Sequence, residues 1–264
     1  MKLEDGWAGF IKTMINEIKR IFCNPLIYAS IVVGLIVINR PLIEVLWSGV
    51  VESGSISQFL SIPLATSDLT PFAAVFCALP FAASFCDDYN SGNYLYIISR
   101  SGTKKYVAIK SLSVALSGGV TMAGIMLGTI IFCGVLADSP DTPEKISFMR
   151  NSIWVRSGII YIANGYVYLF MRVLFAFLFG CVWASVGLLI SIVYTNKYVA
   201  YISPFVVYQF LWFVFSETKW NPVYLLRGDS NFIPSLSFVL IYQVTSLSLL
   251  LIASFVLIRR KVRL

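Results

Sequence analysis

The sequence predicts an all-α integral membrane protein: six transmembrane helices, an N-terminal amphipathic interfacial helix, and both termini in the cytoplasm. Three observations predict it. Of the 264 residues 58% are hydrophobic and only 12% charged, where a soluble domain carries about a quarter charged residues. Apolar runs recur along the chain, leaving room for about six helices of ~20 residues plus their connections. The basic residues gather in alternate connections, as they do in proteins that keep positive loops inside. The whole chain, 1–264, reads as one transmembrane domain, because no segment between the runs is long enough for a separate folded unit.

Residues 1–24 supply the interfacial helix. Trp7, Phe10, Ile11, Met14, Ile15, Ile18, Ile21 and Phe22 recur at helical spacing, with Lys12, Asn16, Glu17, Lys19 and Arg20 on the other side. Such a helix lies in the membrane interface, or packs its apolar face on protein. Acids and bases run through this stretch without a continuous apolar core, so it does not read as a cleavable signal. Asn24-Pro25 ends it and turns the chain into the bilayer.

Span 1 is expected over about 26–39, with further apolar residues past Arg40-Pro41 open to extend it, and residues 40–68 read as semi-polar. Span 2 is expected over 69–86, with Pro80 inside it. A loop over 87–110 leads to span 3 at 111–136. A polar stretch follows, 137–158, then an amphipathic or re-entrant entry from Ile159 to Tyr168 and span 4 at 169–193. A turn at Tyr194–Lys197 leads to span 5 at 198–215. Residues 216–234 are polar, and span 6 covers 235–258 before the basic tail Arg259, Arg260, Lys261 and Arg263.

The charges choose the side. One side holds 13 of the 20 bases with five of the 13 acids; the other holds seven bases with eight acids. The basic side is expected to be cytoplasmic. The net charge of +7 thus reflects membrane topology, and no nucleic-acid partner is expected.

Chemistry is excluded more than indicated. The chain has no histidine, which removes the commonest general base and metal ligand. It has no GxxxxGK[ST], GxSxG or HExxH pattern, so neither nucleotide binding nor hydrolysis is expected of it. The five cysteines, Cys23, Cys77, Cys86, Cys133 and Cys181, are scattered in or beside apolar runs and read as small apolar residues. No buried acid is apparent in the spans, which argues against an ion-coupled carrier. Arg172 is the one clear ionisable residue within a span and is expected to snorkel to the headgroups. Gly118, Gly119, Gly124 and Gly128, with Gly180, Ala184 and Gly187, suit close helix packing within the chain, or a dimer contact. In span 5, Tyr201, Tyr208, Gln209 and Trp212 are candidates for a pathway lining, with packing or interfacial roles as the alternative.

The stretch from Phe85 to Lys110 is the most distinctive. A helix continuing from span 2 through Asp87, Asp88 and Tyr89 is expected to end with Gly92 at C′. Tyr94, Leu95, Tyr96, Ile97 and Ile98 form a short apolar-aromatic segment. Ser99-Arg100-Ser101-Gly102 reads as a turn, Thr103 as the N-cap of the next helix, and Lys104, Lys105 and Lys110 as facing the inner interface. Positive-inside bias explains the lysines. It does not explain an apolar pentapeptide held between two turns, which suits a partner's groove or the membrane surface.

On these residues the chain resembles the ABC-2 type permeases, membrane subunits of ABC transporters. The loop offers that family's acid at the end of span 2 (Asp87 or Asp88), glycine (Gly92), apolar stretch (Leu95 to Ile98), Arg100-Ser101 turn and lysine (Lys110). The N-terminal helix resembles the family's elbow helix, Ser191–Tyr208 its inner turn into span 5, and Trp220–Leu226 the outer re-entrant segment, here 216–234. The family often has glutamate where this chain has Asp87-Asp88.

The resemblance implies a permease in the bacterial cytoplasmic membrane. The 87–110 loop would contact a separate cytoplasmic ATPase that binds ATP and Mg, with a second permease protomer, identical or not, completing the pathway among membrane lipids. It implies Asp87, Asp88, Gly92, Tyr94, Leu95, Tyr96, Ile97, Ile98, Arg100 and Ser101 as coupling residues, no cofactor in this chain, and export of, or immunity to, a peptide, antibiotic or other amphiphile. A secondary carrier or channel, and a non-transporting sensor or assembly factor, are the alternative readings.

Overall fold

The computed structural model describes residues 13–49, 56–137, 165–227 and 236–263. The protein is all-helical, with no strand among these residues. Helix α1 is helical over 13–22, and α2 spans Pro25–Trp47. Then come α3 (Ile56–Thr66), α4 (Leu69–Ala78), α5 (Ser84–Asn90), α6 (Asn93–Ser101) and α7 (Thr103–Leu136). The chain continues with α8 (Gly165–Val193), α9 (Lys197–Val214), α10 (Tyr224–Arg227) and α11 (Leu236–Arg263). Among the described residues four helices are long and apolar enough to cross a membrane: Pro25–Trp47, Thr103–Leu136, Leu169–Val193 and Ser237–Val262. Residues 7–12 of the amphipathic pattern, the polar 138–158 stretch and most of the entry before span 4 lie outside the described residues, as do 228–234.

The break between α1 and α2 follows from Asn24-Pro25. The Asn24 side chain accepts from the Leu26 amide at 3.1 Å, capping α2. Proline at the first turn costs no hydrogen bond there. Helix α2 then runs through Pro41 to Trp47, well past the expected end at residue 39. It stops at Ser48, with Gly49 at φ 68° taking the left-handed position.

Span 2 differs most from expectation. The supposedly semi-polar stretch contains α3, and α3 and α4 form a pair bent by 82°. Ser67 and Asp68 lie at the bend, with Pro63 inside α3 and Pro71 in the first turn of α4. The far end is also broken. Turns over 79–83, around Pro80, separate α4 from α5, so 69–86 is not one continuous helix. Proline removes a ladder donor and clashes with the preceding turn, which is why the chain bends where hydropathy alone sees a single run.

The small residues bring helices together within the chain. A Cβ on Gly180 of α8 would run into the Gly118 carbonyl of α7, and one on Gly119 would meet the Cys181 sulfur at 2.6 Å. On the other flank of α7, Gly124 and Gly128 receive Ile31 and Leu35 of α2. Two apolar cores succeed each other along α8. One contains Phe175, Phe179 and Trp183 with Tyr208, Leu225 and Met122. The other contains Leu188 and Ile192 with Phe81, Phe85, Val107 and Ile258. Large apolar residues such as Ile36, Phe210, Phe213 and Ile252 face outward, a perimeter suited to hydrocarbon and costly in water.

Candidate functional site

At the end of the bundle where the second core lies, three helices meet on one carboxylate. Asp88 of α5 is 1% exposed. It accepts from Lys110 Nζ at 2.5 Å, from Arg20 at 2.7 Å and from the Tyr106 hydroxyl at 3.4 Å. Glu17 stands 3.6 Å from both Lys110 and Arg20. The local helices explain why these groups converge. Glu17 and Arg20 are three apart on α1, and Tyr106 and Lys110 four apart on α7, so each pair shares a helix face. Phe81 closes the cluster, its ring centroid 5.0 Å from Lys110 Nζ and 5.6 Å from the Arg20 guanidinium. Burial works against the charge on Arg20. Asp88, helped by Glu17 and Asp87, outweighs that and holds the guanidinium above its ordinary pKa.

The two acids and two bases balance, which is what allows Asp88, Glu17 and Lys110 to be buried, with Arg20 half-exposed at the rim. Lys110 is thus sealed in the protein, not turned to the inner interface as expected. Asp88 and Glu17 are buried acids that hydropathy did not reveal. The two aspartates also separate. Asp88 is the paired, buried one, whereas Asp87 is exposed and lines a polar cavity of about 330 Å³ with Arg20, Asn24, Ser84 and Tyr201.

Past the cluster, Gly92 sits at φ 73° and ends α5, its amide donating to the Tyr89 carbonyl at 3.2 Å. This is the C′ role expected of it. The apolar pentapeptide is not an extended segment between turns. It belongs to α6, and Ser99-Arg100-Ser101 completes that helix. Gly102, at φ 80° and ψ 150°, flanks α7, so Thr103 begins the helix and is not its cap. The short helix is two-faced. Tyr94, Ile97 and Ile98 are half-buried against the second core, and Tyr94 stacks on Tyr89 at 5.2 Å. Leu95 and Tyr96 are 58% and 72% exposed, and Arg100 is exposed beside them. Ser101 turns back to donate to the Ile97 carbonyl at 2.7 Å.

Other bonds fasten this end of the bundle. Asn24 donates to the Pro80 carbonyl at 2.5 Å, and Asn90 to the Thr195 carbonyl at 3.2 Å. Lys261 of α11 donates to the Ile192 carbonyl and lies 5.1 Å from the Tyr89 ring centroid. Both α1 and the far end of α11 therefore pack around α5.

The span 5 candidates have different surroundings. Tyr201 borders the polar cavity near Asp87. Tyr208 is fully buried, edge-on to Trp183 at 5.0 Å and near Trp212 at 6.3 Å. Gln209 donates to the Pro71 carbonyl at 2.8 Å, tying α9 to α4. These contacts favour packing for Tyr208, Gln209 and Trp212. Arg172 is 3% exposed and donates to the Leu226 carbonyl at 3.3 Å, so it is held inside the protein and does not snorkel. The described part of the 216–234 segment folds back inward, with Val223, Leu225 and Leu226 buried in the first core.

Sequence reasoning named Lys110 only as the lysine closing the loop and did not assign Glu17, Arg20 or Tyr106 to the site. Their signal was the set of opposite charges on three segments flanking the loop, but the pairing is tertiary. No family model, curated protein or solved structure matches the chain.

Proposed function

We propose that this chain is the permease subunit of an ATP-driven transporter of the ABC-2 type, and that α6 is the helix that engages a separate cytoplasmic ATPase. The observation that carries the reading is the two-faced α6. Its inner face is packed on the bundle, and its outer face presents Leu95, Tyr96 and Arg100 with no covering element among the described residues. A short helix of this kind transmits force only if its flanks are stiff. The Asp88–Lys110–Arg20 cluster supplies that stiffness by joining the helices before and after it to α1.

In this reading α2, the bent α3–α4 pair, α7, α8, α9 and α11 make six crossings, and the end carrying α1, α6 and Lys261 faces the cytoplasm. A second protomer completes the pathway, and the cargo is a peptide, antibiotic or other amphiphile that is exported or to which immunity is given. ATP and Mg are bound by the partner ATPase.

The test compares the full chain with a Leu95→Ser/Tyr96→Ser/Arg100→Ser variant, each purified from its native host and assayed for a co-purifying ABC ATPase. The expected result is loss of co-purification with an unchanged melting profile. Undiminished recovery of the ATPase on the variant overturns the assignment of α6.

A further inference from the structure

A second site lies in the first core and shares no lining residue with the charge cluster. Between α8, α9 and α11 is a cavity of about 270 Å³ lined by Phe179, Trp183, Leu211, Leu225, Leu250 and Gln243, among others. Its walls are almost wholly apolar, and among the described residues no charged side chain lines it. Gln243 is the exception. It is 1% exposed, and neither its amide nitrogen nor its amide oxygen has a hydrogen-bond partner among the described residues. A buried amide is costly unless it is bonded, and in a membrane-spanning helix no bulk water is at hand to bond it.

One water can bond Gln243 beside Ser246 or Tyr242, but the rest of the space of about 270 Å³ is walled by apolar side chains that offer water no partners. Leu249, 68% exposed, also lines the cavity, so the space opens on the apolar perimeter of the bundle. An occupant can therefore arrive from the hydrocarbon itself.

We propose that this cavity binds an uncharged, largely apolar molecule carrying one amide-like group, with the Gln243 amide as its recognition element. The apolar walls take the body of the ligand. Gln243 donates to the ligand's carbonyl and accepts from its N–H. The absence of any cation among the lining residues disfavours carboxylates and phosphates. The cavity lies within one chain and needs no ATPase, so the proposal stands or falls separately from the transport reading.

The experiment uses the purified full chain in detergent with three photoactivatable diazirine probes: decanamide, decanoate and decane derivatives of matched length. The decanamide probe is expected to label Trp183, Leu211 or Tyr242 saturably, to be displaced by unlabelled decanamide, and to bind about tenfold more tightly than the decane probe, as one net hydrogen bond allows. Gln243→Leu, which keeps the size and removes the amide, is expected to abolish that preference. Leu211→Trp, which fills the cavity, is expected to abolish labelling at these positions while preserving the melting profile. Equal labelling by amide and alkane in the wild type overturns the proposal, as does a preference that survives Gln243→Leu. Non-saturable labelling spread over the perimeter overturns it too.

Discussion

Lys110 and Asp88 form an ion pair at 2.5 Å with both side chains sealed from solvent, 1% and 2% exposed. A buried pair of this kind is not a large net source of stability, because desolvation consumes most of the Coulombic gain. Removing Lys110 is another matter, since the two buried acids Asp88 and Glu17 then share Arg20 alone and one acidic charge is left without a balancing base, at a cost of up to about 3–5 kcal/mol. Lys110→Met is therefore expected to lower the unfolding midpoint sharply in detergent and to loosen α1. The adjacent Asp87→Asn, at an exposed position, is expected to change stability by under about 0.5 kcal/mol. Equal melting of the two variants would remove the cluster from its structural role.

Asn24 does two jobs at once. Its oxygen caps α2 at Leu26 and its nitrogen holds the Pro80 turn. Asn24→Ala loses both and is expected to cost about 1–2 kcal/mol, the upper part of the range for a lost cap. Asn24→Asp keeps the cap but cannot donate to Pro80, so it should fall between wild type and alanine. Thermal melts of the three proteins check the order.

The contact of α7 with α8 depends on two backbones meeting. A methyl on Gly180 would collide with the carbonyl of Gly118, which cannot move aside as a side chain can. Gly180→Ala is expected to reduce the yield of monodisperse protein severely. At Gly124 the nearest atom to an added Cβ is the end of Ile31, at 3.2 Å, so Gly124→Ala should be tolerated with a small loss. Size-exclusion profiles of the two variants decide the matter.

Much of this architecture was legible because hydropathy and turn chemistry are local. The runs at 111–136 and 169–193 lie inside α7 and α8, and Asn24-Pro25 and Gly92 mark helix ends for reasons carried by those residues alone. The bend between α3 and α4 was hidden because α3 is short and stands among Glu44, Glu52 and Asp68, whose charges make 40–68 read as semi-polar. The fate of Lys110 was hidden for a different reason. A lysine near a span end reads as solvent-facing unless its partners are known, and these are 22 residues away at Asp88 and on the far side of α2 at Glu17. Gln243 was readable as a lone amide in an apolar run. That it has no partner depends on how α8, α9 and α11 close around it.

Gly92 joins the buried cluster to the exposed face of α6. Its φ of 73° is left-handed, yet nothing lies within 4 Å of an added Cβ, so a substitution there meets backbone strain and no clash. Gly92→Ala is expected to cost about 1–2 kcal/mol, while Gly92→Asn should recover much of this, because asparagine enters the left-handed region more readily than alanine. The strain can be relieved only by shifting α6 on Tyr89 and the second core. Gly92→Ala should therefore also raise hydrogen exchange over 93–101 while leaving α8 protected. Exchange that rises equally in both helices would show α6 to be part of the global folding unit and not a separately seated element.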